Sequence, residues 1–204
     1  MPAAGSLIGA HKVQANYAPP INFSLNQDFM PGLGLREAGA LPSGASRLMW
    51  QPAPQATGYA LAMFGSNQNG DVIMWSSSKS ASMVTLDYLA PSEVKRLVAA
   101  GAVLPPSTSE CVLPAEVATA SPTGMVTMIG YGPEANFAEA PKAPKWVTKV
   151  RYKTTASLMR GMGGMMGGSE EGAAAQQGQQ PQQPKKKKRF GLGDLIGGAI
   201  PIPQ

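Results

Sequence analysis

Residues 21–25 alternate apolar and polar side chains, with Ile21, Phe23 and Leu25 set against Asn22 and Ser24. Period two predicts a strand with one face buried. Residues 31–44 are rich in Pro and Gly and read as a connection. Three strand-like runs follow at 47–51, 58–64 and 71–76. The last two are separated by Gly65-Ser66-Asn67-Gln68-Asn69-Gly70, whose Gly and Asn content suits a hairpin loop. Val84-Thr85-Leu86 offers a further short strand. At 91–101 the period changes to that of a helix. Pro91 suits its first turn, Val94, Leu97 and Val98 form an apolar stripe, and Gly101 supplies a stop. Strand signals return at 110–113 and 124–131, and most clearly at 146–153. There Trp146, Thr148, Val150 and Tyr152 share one face, and Lys149, Arg151 and Lys153 the other. This spacing predicts a mainly β domain of about seven short strands with one inserted short helix.

After residue 160 the pattern breaks down. Gly161-Met162-Gly163-Gly164-Met165-Met166-Gly167-Gly168 gives way to an Ala/Gln/Pro stretch ending at Pro184. Such a composition buries too little apolar surface to offset its ordering entropy, and predicts a disordered linker. Beyond it Leu192, Leu195, Ile196, Ala199 and Ile200 fall at helical spacing. The glycines among them weaken that helix by about 0.8–1 kcal/mol each relative to Ala, so it is expected only when docked. The expected organisation is a tail or truncated upstream segment at 1–14, a sandwich domain at 15–155, a linker at 156–184 and a docking tail at 185–204. Tyr17 and the strand after it look like chain already entering a fold, which favours the torn end of an upstream segment.

Composition adds to this picture. The 24 glycines and 19 prolines, about a fifth of the chain, favour turns over long helices. One cysteine, Cys111, excludes an intrachain disulfide. The formal net charge of +5 lies entirely in Lys185, Lys186, Lys187, Lys188 and Arg189, because the other 12 Lys and Arg match the 12 Asp and Glu. A neutral body with a cationic tail predicts a module tethered to something anionic. The first residues lack the basic and apolar regions of a signal peptide, and no stretch approaches the roughly 20 apolar residues that span a bilayer.

Two sets of motifs carry a resemblance. Leu48-Met49-Trp50-Gln51-Pro52 followed by Ala56-Thr57-Gly58-Tyr59-Ala60-Leu61 resembles the opening strands of an immunoglobulin/fibronectin type III-like sandwich. The resemblance implies that Trp50 fills the core between two sheets and that Tyr59 packs nearby on the next strand. Asn16-Tyr17-Ala18-Pro19-Pro20, Met74-Trp75-Ser76-Ser77-Ser78, Leu113-Pro114-Ala115-Glu116-Val117, the run from Gly130 to Phe137 and that from Trp146 to Tyr152 resemble the C-terminal portion of an uncharacterised proteobacterial exported protein family. Its longer members begin with a signal peptide and another β-rich segment. The resemblance therefore implies an extracytoplasmic place in the periplasm or envelope, whereas a genuine start at Met1 implies the cytoplasm. It implies no activity.

Four groups of residues are candidates for chemistry. Ser76 and Lys79 have the S-x-x-K spacing of acyl-transfer enzymes, which place the Ser at a helix start with the Lys one turn on. Here the motif ends a strand run, and no K-T-G partner is present. Asp71 and Asp87 offer a carboxylate pair for acid–base work. Cys111 and His11 offer a thiolate pair, although His11 falls in the expected N-terminal tail. Met159, Met162, Met165 and Met166 form an array of soft thioethers suited to Cu(I), on a glycine-rich backbone. The tail, from Lys185 to Arg189 with Phe190, Leu192, Leu195 and Ile196, suits an anionic membrane surface or a protein partner. Its first half also has the form of a nuclear-import signal. Nucleic-acid binding is not expected, since the body has no basic excess and no aromatics are interleaved with the run. No cofactor is expected. The reading that follows is a non-enzymatic binding or structural module of the bacterial envelope. Its expected contact surface is the exposed strand edges or the loops at 67–70 and 132–134. The rivals are a hydrolase at Asp71/Asp87 or Ser76/Lys79, and Cu(I) binding by the methionine array.

Overall fold

A computed structural model describes residues 5–79, 87–139 and 146–161. In chain order its elements are β1 (Gly9–Ala15), β2 (Ala18–Leu25), β3 (Arg36–Ala40), β4 (Ser46–Met49), β5 (Gly58–Ser66), β6 (Val72–Ser76), α1 (Pro91–Ala99), β7 (Glu110–Leu113), α2 (Ala115–Ala120), β8 (Gly124–Ala138) and β9 (Val147–Arg160). The strands form three antiparallel groups: a β1-β2 hairpin, a three-stranded sheet β3-β4-β7 and a four-stranded sheet β6-β5-β8-β9.

The two larger sheets share one core. From the four-stranded sheet come Tyr59, Leu61, Met63, Val126, Met128 and Tyr152, and from the other Leu48 and Leu113. Trp50, just past β4, is 3% exposed and meets the Tyr59 ring edge-on at 5.6 Å between centroids. The expected packing of Trp50 against Tyr59 is therefore present.

Helix α1 has the predicted start and stop. Pro91 occupies its first turn, and the chain leaves through Gly101 at φ +71°. Gly101 N–H donates to Val98 O, and Ala102 N–H to Leu97 O, the paired bonds of a Schellman cap. Its stripe of Val94 and Leu97 covers Ala60 and Tyr131 on the outer face of the four-stranded sheet.

Several expectations are corrected. Residues 9–14 are not a tail: they pair with β2, with His11 opposite Phe23. The connection at 31–44 contains β3, and a second helix, α2, follows β7. Strands β8 and β9 run to 15 and 14 residues, well beyond the predicted ends. Residues 156–160 are strand rather than linker, pairing with Met128 through Gly124. Val84-Thr85-Leu86 and residues 162–204 lie outside the described residues.

Gly132-Pro133-Glu134, expected as a loop, instead lies inside β8 at a register shift between Tyr131 and Glu134. Pro133 has no N–H to give to a ladder, and a bulge is where a strand tolerates it. Gly132 is needed there for close approach: a Cβ would stand 2.9 Å from Tyr152 O.

Candidate functional site

Along β5, Tyr59, Leu61 and Met63 point inward, so Ala60, Ala62 and Phe64 point outward. Register carries this outward face across the sheet. Phe64 pairs with Met74 of β6 and Met125 of β8, and Met125 pairs with Met159 of β9. Met74, Phe64, Met125 and Met159 thus form one row across all four strands. They are 53%, 44%, 42% and 53% exposed, and Val72 extends the row at 71%. Helix α1 covers only the other end of this face, over Ala60, Ile129 and Tyr131. Between the two ends lie Ala62, Thr127 and Ser157, paired in register.

The sequence carries a signal for this row. Residues 59–64 and 125–129 are nearly unbroken apolar runs, which require cover on both faces of a sheet. One short helix cannot cover both ends. Reading those runs only as strands missed the row.

A second feature is a cleft of about 400 Å³ between β9, the β8 bulge and residues 87–91, lined among others by Tyr88, Tyr131, Lys149, Arg151 and Lys153. Its cations already have partners. Lys153 Nζ lies 2.7 Å from Asp87 and over the Tyr88 ring, while Arg151 and Lys149 both face Glu134. Arg151 Nη1 also donates to Tyr88 O at 2.9 Å. The hydrogen bond from Arg151, first, holds the Glu134 carboxyl below its ordinary range. Burial, with the Asp87 charge behind it, pushes the Tyr131 phenol up.

The sequence candidates fall apart in space. Ser76 is the last residue of β6, opposite Ala62, not at a helix start. Lys79 donates its backbone N–H to Gly101 O, and its stem lies over Gly101. The S-x-x-K geometry is therefore absent. Asp71 sits in the β5–β6 turn, accepting from Asn67 Nδ2 at 2.7 Å, whereas Asp87 is engaged with β9 at the opposite edge of that sheet.

His11 is stacked on Phe23, its Nε2 2.6 Å from Leu7 O. Cys111 lies on β7 opposite Leu48, half-buried against the core. None of these partners is common to the two residues, so no thiolate–imidazole pair forms. Burial, the largest cause, raises the Cys111 thiol above its ordinary value. A raised thiol pKa means less thiolate at neutral pH. Iodoacetamide alkylation of Cys111, followed by mass spectrometry across pH, should therefore reach half its maximal rate at a higher pH than a free cysteine does. A midpoint at or below that of free cysteine would contradict the buried placement.

Met159 stands in the exposed row. Met162, Met165 and Met166, with the tail residues Lys185, Lys186, Lys187, Lys188, Arg189, Phe190, Leu192, Leu195 and Ile196, lie outside the described residues. Among the described residues no three His, Cys, Asp or Glu gather as metal ligands, and no helix is long and apolar enough to cross a membrane. Compared with models of known protein families, with curated proteins and with solved structures, the chain matches none.

Proposed function

We propose that this chain is a non-enzymatic binding module of the bacterial envelope, a fibronectin type III-like sandwich that grips a protein partner through the open end of its four-stranded sheet. The observation that carries this reading is the contiguous row Met74–Phe64–Met125–Met159 with Val72, exposed on a face whose other end α1 buries. Contiguous exposed apolar patches mark interaction sites, whereas single exposed apolar residues do not. Methionine suits such a surface, because its flexible thioether repacks against partners of differing shape.

Strand order supports the sandwich part of the reading. With β3, β4 and β7 as strands A, B and E, and β5, β6, β8 and β9 as C, C′, F and G, the two sheets follow the immunoglobulin-like order without strand D. The β1–β2 hairpin is an addition to that plan. It docks through Phe23, which stacks on Phe137 of the long β8 at 4.9 Å. The envelope location rests on the family resemblance. The basic-apolar tail would hold the module to an anionic surface.

The test is photo-crosslinking in cells, with a photoreactive residue at Phe64 and, as control, at the exposed Lys95 of α1. The expected result is a discrete heteromeric adduct from position 64 alone, lost when Met125→Lys breaks the row. Identical adducts from both positions, no adduct at 64, or only a band at twice the chain's mass would each defeat the partner reading.

A further inference from the structure

We propose that Met74, Met125 and Met159 are a modification site, where hydrogen peroxide and related peroxides form methionine sulfoxide and turn the exposed row from apolar to polar. Strand parity carries the argument. Met125 and Met128 stand three residues apart on β8, and so face opposite sides of the sheet. Met128 is 1% exposed, whereas Met125 is about half exposed. Register places Met74 and Met159 on the same outward face as Met125, each about half exposed. Met30 and Met63 are buried in the shared core with Met128. One molecule therefore holds three open sulfurs in a row and three closed ones beneath it.

The chemistry is a two-electron oxidation by the peroxide. A sulfur lone pair attacks one peroxide oxygen, the S–O bond forms as the O–O bond breaks, and the hydroxide released takes a proton and leaves as water. Sulfur is oxidised and the peroxide is reduced. The step requires the oxidant to reach the sulfur, which the row allows and the core does not. Met63 Sδ lies 4.0 Å from Arg160 Nη1 inside the protein. Met30 Sδ is so close to Gly132 that a Cβ there would stand 2.5 Å from it. Such sulfurs react only as fast as local opening exposes them.

The consequence for docking rests on the partner reading above. A sulfoxide carries a strongly polar oxygen, and an apolar contact would bury it without a hydrogen-bond partner. Phe64, between Met74 and Met125 in register, then stands between two polar neighbours, and the continuous patch is broken. Enzymatic reduction restores the thioether, so the change is reversible. A docked partner covers the same sulfurs, which makes the free module the sensitive form and the bound one the protected form. Leucine would serve apolar docking equally; methionine adds the response to oxidant.

The full chain would be treated with hydrogen peroxide and each methionine followed by peptide mass spectrometry. Met74, Met125 and Met159 should gain oxygen about tenfold or more faster than Met30, Met63 and Met128, because burial adds an opening step. Retention on a phenyl matrix should fall with that oxidation and return after treatment with methionine sulfoxide reductases of both stereospecificities. It should fall much less in a chain carrying Met74→Leu, Met125→Leu and Met159→Leu, which keeps every other methionine. Leucine preserves size and apolarity, so the fold and the docking survive these changes. The photo-crosslinked adduct from position 64 should disappear in peroxide-treated cells for wild type and persist for the leucine variant. Equal oxidation rates in row and core, unchanged retention, or an equal fall in wild type and variant would each overturn the modification site. Selective oxidation with no adduct from the untreated chain would defeat the partner reading and leave the site standing, whereas an adduct that survives oxidation of the row would overturn the release.

Discussion

Arg160→Ala is expected to destabilise the fold by about 3–5 kcal/mol, read as a lower midpoint in urea unfolding at unchanged slope. Arg160 closes β9, and its side chain turns into the protein instead of leaving it. Nε lies 3.3 Å from Glu37 on β3, Nη2 donates to Ser46 Oγ on β4 at 3.1 Å, and Nη1 donates to Ser121 O at 3.2 Å. One guanidinium thereby joins the four-stranded sheet, the three-stranded sheet and the α2–β8 connection. Truncation leaves Ser46, 4% exposed, and Ser121, fully buried, without this donor, and opens a hole where the stem was. Each buried group left unpaired costs about 1–3 kcal/mol, which sets the scale.

The mechanism makes a further demand. Glu37 keeps 29% of its side chain in solvent, so an unpaired Glu37 can rehydrate, whereas an unpaired Arg160 cannot. Glu37→Ala should then destabilise as well, because it strands a buried cation. Replacing both, as Arg160→Met with Glu37→Leu, should cost less than the two single changes added. A loss below about 1 kcal/mol for Arg160→Ala would show that the arginine is not the inter-sheet tie.

Arg160 also marks where the sequence stops being legible. It stands one residue before a glycine- and methionine-rich run, and a composition window blends it into that run. Its inward turn depends on Glu37, 123 positions away, a pairing no local pattern encodes. Strand β3, Arg-Glu-Ala-Gly-Ala, fails for the same reason: it has no apolar alternation and exists through its pairing with β4. Elements with local causes were readable. Helix α1 has Pro91 at its start, a stripe, and Gly101 in the left-handed conformation at its end. The β5–β6 hairpin has its Asn and Gly turn, with Gly70 at φ +84°. The outer end of β8 was missed because Gly132-Pro133 looks like a break, and only the pairing of Glu134 with Arg151 shows the strand resuming. The candidate site divides in the same way. Met159 was visible as part of an array, but that it faces Met125 follows from a register the sequence does not state.

Tyr59→Phe is expected to cost about 1–3 kcal/mol, and Tyr59→Ala about 3–5 kcal/mol or somewhat more. Tyr59 is fully buried, and its hydroxyl accepts the Ala53 N–H at 2.9 Å in the connection after Trp50. Phenylalanine preserves the packing but strips that buried N–H of its acceptor, so the smaller change isolates the hydrogen bond. Alanine also removes the ring against which Trp50 packs, and near-UV circular dichroism should register the loss of the Trp50 signal. The backbone tie of Tyr59 to Leu104, made by N–H and C=O in both directions, survives either change, so what is measured belongs to the side chain. A neutral Tyr59→Phe would mean that Ala53 finds another acceptor.

Tyr59 pairs with Gly130 and Arg160 with Gly124, six residues apart along β8, or about 20 Å at the usual rise. Sites that distant add nearly independently. Arg160→Ala with Tyr59→Ala should then lose about 6–10 kcal/mol, comparable to the whole stability of a typical domain. The double variant is expected to be unfolded at 25 °C, while each single variant stays folded and less stable. A folded double variant would show that the two ends of the four-stranded sheet share the load, and that neither residue is the independent anchor its contacts describe.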